Sequence, residues 1–336
     1  MGYINLNKKA FFHNADYYSR LLGSKDKICI ALKDNAYGHG IEPMAKLSQE
    51  FGIKHTMVRN ILEANRASNY DFESILILYE IPTKQYPENY IFSINSLEDL
   101  QNCIEHCKIE LKIDTGMGRN GILPNEIDNA LEIITQRNLI LNGVFTHFSC
   151  ADENDIRTKE QEELFTKTLK IIKSKTDSLF RIHCANSAGA HKVDNSIYDM
   201  ARVGIGLYGY LDVENTSELV KPVLSLHAKK ISTRVLNIGD TINYGATYVV
   251  SKDNFVVSNY DVGYSDGFFR LNERKKATTL KNKEILGRVS MDSLSVEGDD
   301  KEICIFNNAR KLAKIHDTIH YEILTNLHAS VPKFII

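Results

Sequence analysis

The sequence predicts an α/β fold, a TIM (β/α)8 barrel followed by a C-terminal β-rich domain, and two observations carry this prediction. Up to about residue 205, short apolar runs alternate with helical patterns, which is the order of a barrel of parallel strands. After about residue 222, alternating residues are punctuated by Gly, Asp and Asn turns, which is typical of a β domain. We therefore expect a barrel over residues 1–222 and a β domain over residues 223–336.

Eight candidate strands support the barrel, since each is a short run of β-favouring residues that leads into helical material. They cover residues 28–33, 54–59, 74–79, 90–94, 109–114, 142–148, 180–185 and 200–205. A doubly wound parallel sheet is the rival architecture, because a strand number taken from one sequence varies by one or two. In the second region, we interpret the final YEILTNLHASVPKFII, residues 321–336, as short strands as well.

Composition and charge exclude several classes of protein. The chain has 336 residues and a net charge of -2, so it is long enough for two domains and has no basic excess for nucleic acid or an anionic membrane. No apolar run reaches the length of a signal-peptide core or a membrane span. The six cysteines lack disulfide-like density and zinc-motif spacing. We expect a cytoplasmic protein that binds no metal, membrane or nucleic acid.

Strand alternation selects the residues that face the barrel interior. In ICIALK, residues 28–33, the small residues Cys29 and Ala31 share a face with Lys33, and the larger aliphatic residues lie on the other face. This places the lysine at the carboxyl end of a barrel strand, where TIM-barrel enzymes form their active sites. Further polar side chains end other strands at the same rim: Lys112, Asp114, His147 and Arg202.

Two loops after the last predicted strands independently indicate a phosphate site, because TIM barrels often hold a phosphate there. In HCANSAGA, Ser187 is a hydroxyl donor at a predicted helix start. In RVGIGLYG, Gly204 and Gly206 allow backbone N–H groups to approach an anion closely. A phosphate site beside a barrel lysine indicates pyridoxal 5'-phosphate, whose aldehyde reacts with an amine and whose phosphate needs such donors.

Motifs in order along nearly the whole chain resemble those of the alanine racemase family, the fold-type III pyridoxal phosphate enzymes. They are KDNAYGHG, KIDTGMGRNG, THFSCADE, HCANSAG, RVGIGLYG, INYGATY, GYSDG and GRVSMDS. The resemblance implies a cytoplasmic isomerase that interconverts L-alanine and D-alanine and supplies D-alanine for the peptidoglycan of the cell wall. It also implies a homodimer with shared active sites.

The resemblance further implies which residues surround the cofactor. Lys33 would form the internal aldimine with pyridoxal phosphate and act as the base toward D-alanine. The cofactor-binding residues would be Lys33, Tyr37, His147, Ser187, Arg202, Gly204 and Ile205. Arg202 would face the pyridine nitrogen, and because a guanidinium keeps its protons, that nitrogen would stay unprotonated.

Tyr244 resembles the second base of the family, which acts on L-alanine from the opposite face and comes from the partner subunit. Racemisation removes a proton from one face of Cα and returns one to the other, so two bases avoid the movement of a single base across the substrate. His147 would connect Tyr244 to Arg202. The phenol has an ordinary pKa near 10, and a nearby guanidinium would favour its ionised form.

The remaining implied residues contact the substrate or orient those that do. Arg119 and Met291 would hold the substrate carboxylate, with Arg119 also reaching the cofactor phenolate oxygen. Tyr264 would line the access channel. Lys112 resembles a lysine that is carbamylated in the family and orients Arg119.

Departures from the family pattern leave alternatives open. The family more often has a small apolar residue at the position of Asp34 and an aliphatic residue at that of Asn120. Some members have a tyrosine at the position of Ala329. A broad-specificity amino-acid racemase on the same fold therefore remains an alternative. A fold-type III decarboxylase would need a cysteine–aspartate pair in the C-terminal domain, where Cys304 has no adjacent acid. A pyridoxal phosphate carrier protein, which is a barrel alone, would lack the region with Tyr244.

Overall fold

The computed structural model describes residues 2–153, 155–214, 216, 218–270 and 275–336, which divide into two compact units. The barrel unit comprises Lys9–Ala36 and Met44–Lys221, and the second unit comprises Met1–Lys8, Tyr37–Pro43 and Pro222–Ile336. Two short segments from the first part of the chain thus group with the second unit, which chain order alone does not predict. The boundary predicted at residue 222 stays a proposal.

The helices and strands follow in chain order. Helices occupy Lys8–Leu22, Ile41–Phe51, Ile61–Ala67, Leu97–Asn102, Ile127–Gln136, Asp155–Lys175, Ala309–Ile315 and His320–Thr325. Strands occupy Tyr3–Leu6 (β1), Ile28–Ala31 (β2), His55–Val58 (β3), Ser74–Ile77 (β4), Tyr90–Ile94 (β5), Lys108–Lys112 (β6), Ile140–Phe145 (β7), Arg181–His183 (β8), Ala201–Val203 (β9), Leu224–Leu236 (β10), Thr241–Ile242 (β11), Tyr248–Val249 (β12), Phe255–Tyr260 (β13), Ile285–Leu286 (β14), Leu294–Glu297 (β15), Glu302–Phe306 (β16) and Lys333–Ile335 (β17). Across the described ranges, no helix is both long and apolar enough to cross a membrane.

In the described part of the chain, β2 to β9 form an eight-stranded parallel sheet with the order of a barrel. Each strand from β2 to β7 pairs with the next along the chain, and β9 pairs with β2. The N–H of Arg202 bonds the carbonyl of Ala185 at 2.9 Å, which brings β9 beside the end of β8 and nearly closes the ring. This confirms the predicted TIM barrel over a doubly wound sheet, which would reverse its strand order at a switch point.

Each predicted barrel strand overlaps an observed strand, but several observed strands are shorter than predicted. The strand predicted over residues 28–33 ends at Ala31, so Lys33 lies in the loop beyond it. The strand predicted over residues 142–148 is Ile140–Phe145, so His147 also lies beyond the strand. Strand alternation therefore orients Cys29 and Ala31, whereas the position of Lys33 depends on the loop conformation.

The second unit is mostly sheet, as predicted. Seven of its described strands form one sheet, in which β10 pairs with β1, β13 and β16, and β1 also pairs with β17. β11 and β12 form a separate two-stranded sheet. The strand interpretation of the chain end was wrong for residues 321–325, which belong to the helix His320–Thr325. The buried residues of that helix, His320, Ile323 and Leu324, have the i, i+3, i+4 spacing of a helix face, and this period outweighs the β-favouring composition.

Gly206 lies against Tyr18 in the barrel unit, and the contact leaves no room for a side chain. A Cβ atom on Gly206 would lie 2.2 Å from the hydroxyl oxygen of Tyr18, which is fully buried and donates to the carbonyl of Ser187 at 3.1 Å. We expect Gly206→Ala to lower the free energy of unfolding by about 1–3 kcal/mol, as overpacking does. Thermal unfolding should show a lower Tm, with a smaller loss in a Tyr18→Phe background. An unchanged Tm would contradict this packing.

Candidate active site

The carboxyl end of the barrel brings together residues that are far apart in the sequence. Lys112 is the last residue of β6, His147 lies two residues after β7, and Arg202 lies within β9. Because the strands are parallel, these positions open at one face of the barrel. Arg202 donates to Nδ1 of His147 at 3.2 Å. In addition to burial, the positive charge of Arg202 lowers the pKa of Lys112. Burial and the charges of Arg202 and Lys33 likewise lower the pKa of His147.

Lys33 precedes a turn of unusual backbone conformation. Its Nζ lies 3.3 Å from Oδ2 of Asp34, and its side chain is 26% exposed. Asp34, Asn35 and Ala36 have φ values of 52°, 53° and 54°. Each non-glycine residue in this left-handed region costs about 1–2 kcal/mol. The turn must therefore be held by contacts elsewhere in the barrel unit.

Side chains around the helix Ile61–Ala67 supply those contacts. The backbone N–H of Asn35 bonds Oε1 of Glu63 at 3.0 Å, and Nη2 of Arg66 bonds Oδ1 of Asn35 at 3.1 Å. The Asp34 carboxylate pairs with Arg59 at 3.2 Å. The departure from the family pattern at Asp34 thus contributes an ion pair to the turn, beside its contact with the amine of Lys33.

Arg202 is held by several acceptors in the barrel interior. Its Nη2 donates to the carbonyl oxygens of Thr146 at 2.7 Å and Cys184 at 3.1 Å, and its Nη1 bonds Nδ1 of His183 at 2.5 Å. The residue is 3% exposed. Fixed acceptors on the guanidinium define its orientation, so it can present a positive charge to a bound group without reorganisation.

His147 is kept neutral by its surroundings. Burial lowers its pKa well below the ordinary value, and the neighbouring charges of Arg202 and Lys112 act in the same direction. Since arginine only donates hydrogen bonds, Nδ1 of His147 is the acceptor from Arg202 and the ring proton lies on Nε2. The imidazole can therefore donate a hydrogen bond from Nε2 to an oxygen.

Lys112 is a buried amine among cations. Burial lowers its pKa to about 8, and the charges of Arg119 and Arg202 contribute to the decrease. Its ammonium donates to Oδ1 of Asn120, and Nδ2 of Asn120 donates to Oδ1 of Asn95 at 3.0 Å. Asn120, a departure from the family pattern, is thus a direct partner of Lys112. Arg119 itself is exposed.

The loop after β9 and the loop after β8 meet at one hydroxyl. Oγ of Ser187 accepts hydrogen bonds from the N–H groups of Gly204 and Gly206, both at 3.1 Å, and Ile205 lies buried between them. The sequence singled out both loops, and the structure places their donors side by side. Backbone N–H groups and a hydroxyl are the neutral donors that bind phosphates.

In the second unit, Tyr244 lies on a turn with an exposed ring. Its side chain is 62% exposed, and the guanidinium of Arg270 lies 6.0 Å from the ring centroid. Asn243 and Gly245 on either side have positive φ values of 61° and 75°. Nδ2 of Asn243 fixes the turn by bonding the carbonyl of Leu286 at 2.9 Å. The phenol is therefore presented outward by a defined turn.

Tyr264 and Met291 are neighbours in the second unit. The N–H of Tyr264 bonds the carbonyl of Ser290 at 3.1 Å, and the N–H of Ser265 bonds the carbonyl of Met291 at 2.9 Å. Tyr37, also in this unit, packs edge to face on Tyr321 with ring centroids 5.8 Å apart. The structure thus brings two of the predicted substrate residues together and holds the Tyr37 ring.

Sequence reasoning missed a buried polar group behind Arg202. Glu110 and His183 are fully buried and bonded to each other, and Arg181 bonds the same carboxylate. A usable signal was present, because alternation in β6 places Glu110 on the face of Lys112, and alternation in β8 places Arg181 on the face of His183.

Comparison with known proteins agrees with this architecture. The sequence matches the alanine racemase N-terminal domain over residues 6–212 and the alanine racemase C-terminal domain over residues 223–335. An eight-stranded parallel barrel with a sheet-rich unit is the architecture that this chain shares with solved alanine racemase structures. The chain belongs to the alanine racemase family.

The similarity extends over the whole chain. The sequence is 40% identical to an alanine racemase of a Nitratiruptor species, with 99% of both chains covered. It is 37% identical to one of Campylobacter jejuni subsp. jejuni serotype O:2, with 100% of both covered. The crystal structure of alanine racemase from Bacillus anthracis with bound L-Ala-P matches with a TM-score of 0.88 and 26% identity, covering 100% of this chain and 95% of that one.

Proposed function

We propose that this chain is a pyridoxal phosphate-dependent alanine racemase that interconverts L-alanine and D-alanine with two bases, Lys33 and Tyr244. The observation that carries the proposal is the barrel-rim cluster, in which buried Arg202 is bonded to His147 and its charge acts on Lys112. Such a cluster suits a bound, negatively charged cofactor with an amino-acid substrate. The family is pyridoxal phosphate-dependent.

The residues present fit this cofactor. Ser187 with the N–H groups of Gly204 and Gly206 supplies neutral phosphate donors, and Ile205 and Tyr37 belong to the same proposed set. When bound, pyridoxal phosphate joins the substrate amine covalently and withdraws electrons from its Cα. Lys33 would bind its aldehyde, and Arg202 with His147 would lie at its ring.

The proposed chemistry of the chain is proton transfer at Cα. Lys33 would take or return the proton on the face that D-alanine presents, and Tyr244 would do so on the face that L-alanine presents. His147, neutral and protonated on Nε2, would donate to the phenolate oxygen of Tyr244. Arg119 and the backbone N–H of Met291 would hold the alanine carboxylate, with Tyr264 lining the access channel.

The exposed position of Tyr244 supports a proposed homodimer. The phenol is 62% exposed and sits on a fixed turn, so it is suited to reach a second copy of the chain. We propose that each active site takes Tyr244 from the partner subunit. We also propose a cytoplasmic location and the supply of D-alanine for peptidoglycan as the physiological role.

A racemisation assay with the purified protein tests the proposed function. L-alanine and D-alanine should each be converted to the racemate in the presence of pyridoxal phosphate, while serine, lysine and arginine should react much more slowly. Comparable rates with all four substrates would instead support the broad-specificity racemase. No Cα proton exchange with any amino acid would overturn the proposal and favour a carrier protein.

We expect Lys112 to be carbamylated in solutions that contain bicarbonate. Only the neutral amine reacts with CO2, and a pKa of about 8 in place of 10.5 raises the neutral fraction near pH 7 by about 10²-fold. The carbamate would replace a cation beside Arg119 and Arg202 with an anion, which those charges favour. The ¹³C NMR spectrum in labelled bicarbonate should show a carbamate resonance that increases as the pH rises through about 8. A Lys112→Arg variant is the control, and a wild-type spectrum without this resonance would contradict the assignment.

A further inference from the structure

A continuous hydrogen-bond network crosses the barrel interior behind Arg202. Nε of Arg181 donates to Oε1 of Glu110, and its Nη1 donates to Oγ of Ser74 at 2.9 Å. The other carboxylate oxygen, Oε2, bonds Nε2 of His183 at 2.8 Å. Nδ1 of His183 then bonds Nη1 of Arg202 at 2.5 Å. The network therefore links residues of β4, β6, β8 and β9, and it ends on the guanidinium of Arg202 at the rim.

Neighbouring residues pack closely against this network. Gly143 in β7 leaves room for the carboxylate, since a Cβ there would lie 2.7 Å from Cγ, Cδ and Oε1 of Glu110. Phe145 stacks on the His183 ring, with centroids 4.8 Å apart and planes 5° apart. The guanidinium of Arg202 lies 5.0 Å from the centroid of the same phenyl ring. Stacking and two hydrogen bonds leave the imidazole one orientation.

Burial and neighbouring charges determine the protonation states in this network. Burial alone would raise the pKa of Glu110, but Arg181 and His183 lower it to about 2, so it is a carboxylate. Burial lowers the pKa of His183 to about 4, against the attraction of Glu110, so the imidazole is neutral. A carboxylate only accepts and a guanidinium only donates, so His183 carries its proton on Nε2 and accepts from Arg202 on Nδ1.

We infer that His183 is a positioning residue for Arg202, locked as its Nε2–H tautomer by Glu110 so that Nδ1 always accepts from the guanidinium. This inference rests on the proposed function, because the orientation of Arg202 matters for catalysis when Arg202 faces the cofactor ring. His183 does not touch substrate or cofactor in this assignment. It fixes where the guanidinium charge lies, in the way that hydrogen-bond partners around a metal site orient the ligands of the metal.

Two substitutions separate this role from simple support of the core. His183→Asn places an amide oxygen near the position of Nδ1 and can still accept from Arg202, but it loses the contact with Glu110. His183→Gln places its amide near Nε2 and can still donate to Glu110, but it loses the acceptor for Arg202. Both variants alter the barrel core, so a purely structural role predicts that activity falls with Tm in each.

The positioning role predicts a split between the two variants. We expect His183→Gln to lower kcat by about 10–100-fold with little change in the KM for alanine, and His183→Asn to retain most of the kcat. Equal kcat values for two folded variants would overturn the inference. So would losses that follow Tm alone.

A second measurement uses the wild-type enzyme and needs no activity. With ¹⁵N-labelled histidine, long-range ¹⁵N–¹H correlation should show one imidazole, absent in both variants, as a neutral Nε2–H tautomer that does not titrate through pH 6.5. An Nδ1–H tautomer or an imidazolium at neutral pH would overturn the inference, because neither accepts from Arg202. If the wild type racemises no amino acid, the proposed function fails, while this spectrum still decides whether His183 accepts from Arg202.

Discussion

Replacing Lys33 by alanine should abolish racemisation in both directions. The variant would lack both the amine that binds the cofactor aldehyde and the base toward D-alanine, so we expect a loss of at least about 10⁴-fold. The barrel should survive the change, because the Lys33 side chain is 26% exposed and the following turn is held by Asn35, Glu63 and Arg66. The rate of racemisation and the Tm of the variant check the two statements separately.

Covalent attachment of the cofactor gives a second measurement for the same variant. Borohydride reduction of the wild type should fix pyridoxal phosphate on the peptide with Lys33, as detected by mass spectrometry, and the variant should show no labelled peptide. Lys54→Ala is a matched control, because Lys54 is an exposed barrel-unit lysine that pairs with Asp26 and Glu73. Labelling of another lysine in an active Lys33→Ala enzyme would refute the assignment.

Tyr244→Phe should lower racemisation in both directions by about 10²–10⁴, the usual contribution of a positioned acid or base. The substitution removes one oxygen atom from a ring that is 62% exposed, so the fold should be unaffected. The cofactor should stay bound, since Lys33 and Ser187 are unchanged. Tyr79→Phe, at a barrel-unit tyrosine that is 48% exposed, is the control and should retain full activity.

Hydrogen exchange at Cα distinguishes the two bases. In deuterated water, D-alanine should still exchange its Cα proton through Lys33 in the Tyr244→Phe variant, while L-alanine should exchange far more slowly. NMR of each enantiomer with the variant measures both rates. Equal rates from both enantiomers would mean that one base serves both faces, and Tyr244 would then not be the second base.

The barrel could be predicted from sequence because its signals are local. Each of its strands is a short run of β-favouring residues, and such runs stand out in one sequence. The ends of the strands could not be predicted in the same way. The run at residues 28–33 continues through Lys33, yet β2 ends at Ala31 because the chain turns into a left-handed conformation. The left-handed conformation begins at Asp34, four residues before the next glycine, Gly38, so composition does not predict where the turn starts. Contacts with Glu63, Arg66 and Arg59 hold it.

The assignment of segments to the two units depended on non-local pairing. β1 at the chain start pairs with β10 and β17, which lie more than 200 residues later in the sequence. Neither its composition nor its alternation distinguishes β1 from a barrel strand. Which strand a short segment joins is settled by the hydrogen bonds and burial that a partner offers, and these exist only in the folded chain.

The sequence by itself determined which chemical groups the barrel rim contains. Lys33, Lys112 and His147 each end or follow a parallel strand, and Arg202 lies within one. Parallel strands have to end on one face, so order along the chain was enough to group these residues. The loops with Ser187 and Gly204 could be identified for the same reason. These inferences need only the strand period and the direction of the chain.

Only the tertiary structure decided how the groups in the barrel interior pair and which protons they carry. Glu110, His183 and Arg181 lie on different strands, and alternation shows that they point inward but not which of them meet. Their contacts leave Glu110 ionised and His183 neutral, and burial among cations lowers the pKa of Lys112 to about 8. The physical reason is that a pKa depends on distances to charges and on loss of water, and both are properties of the packed barrel rather than of any local segment.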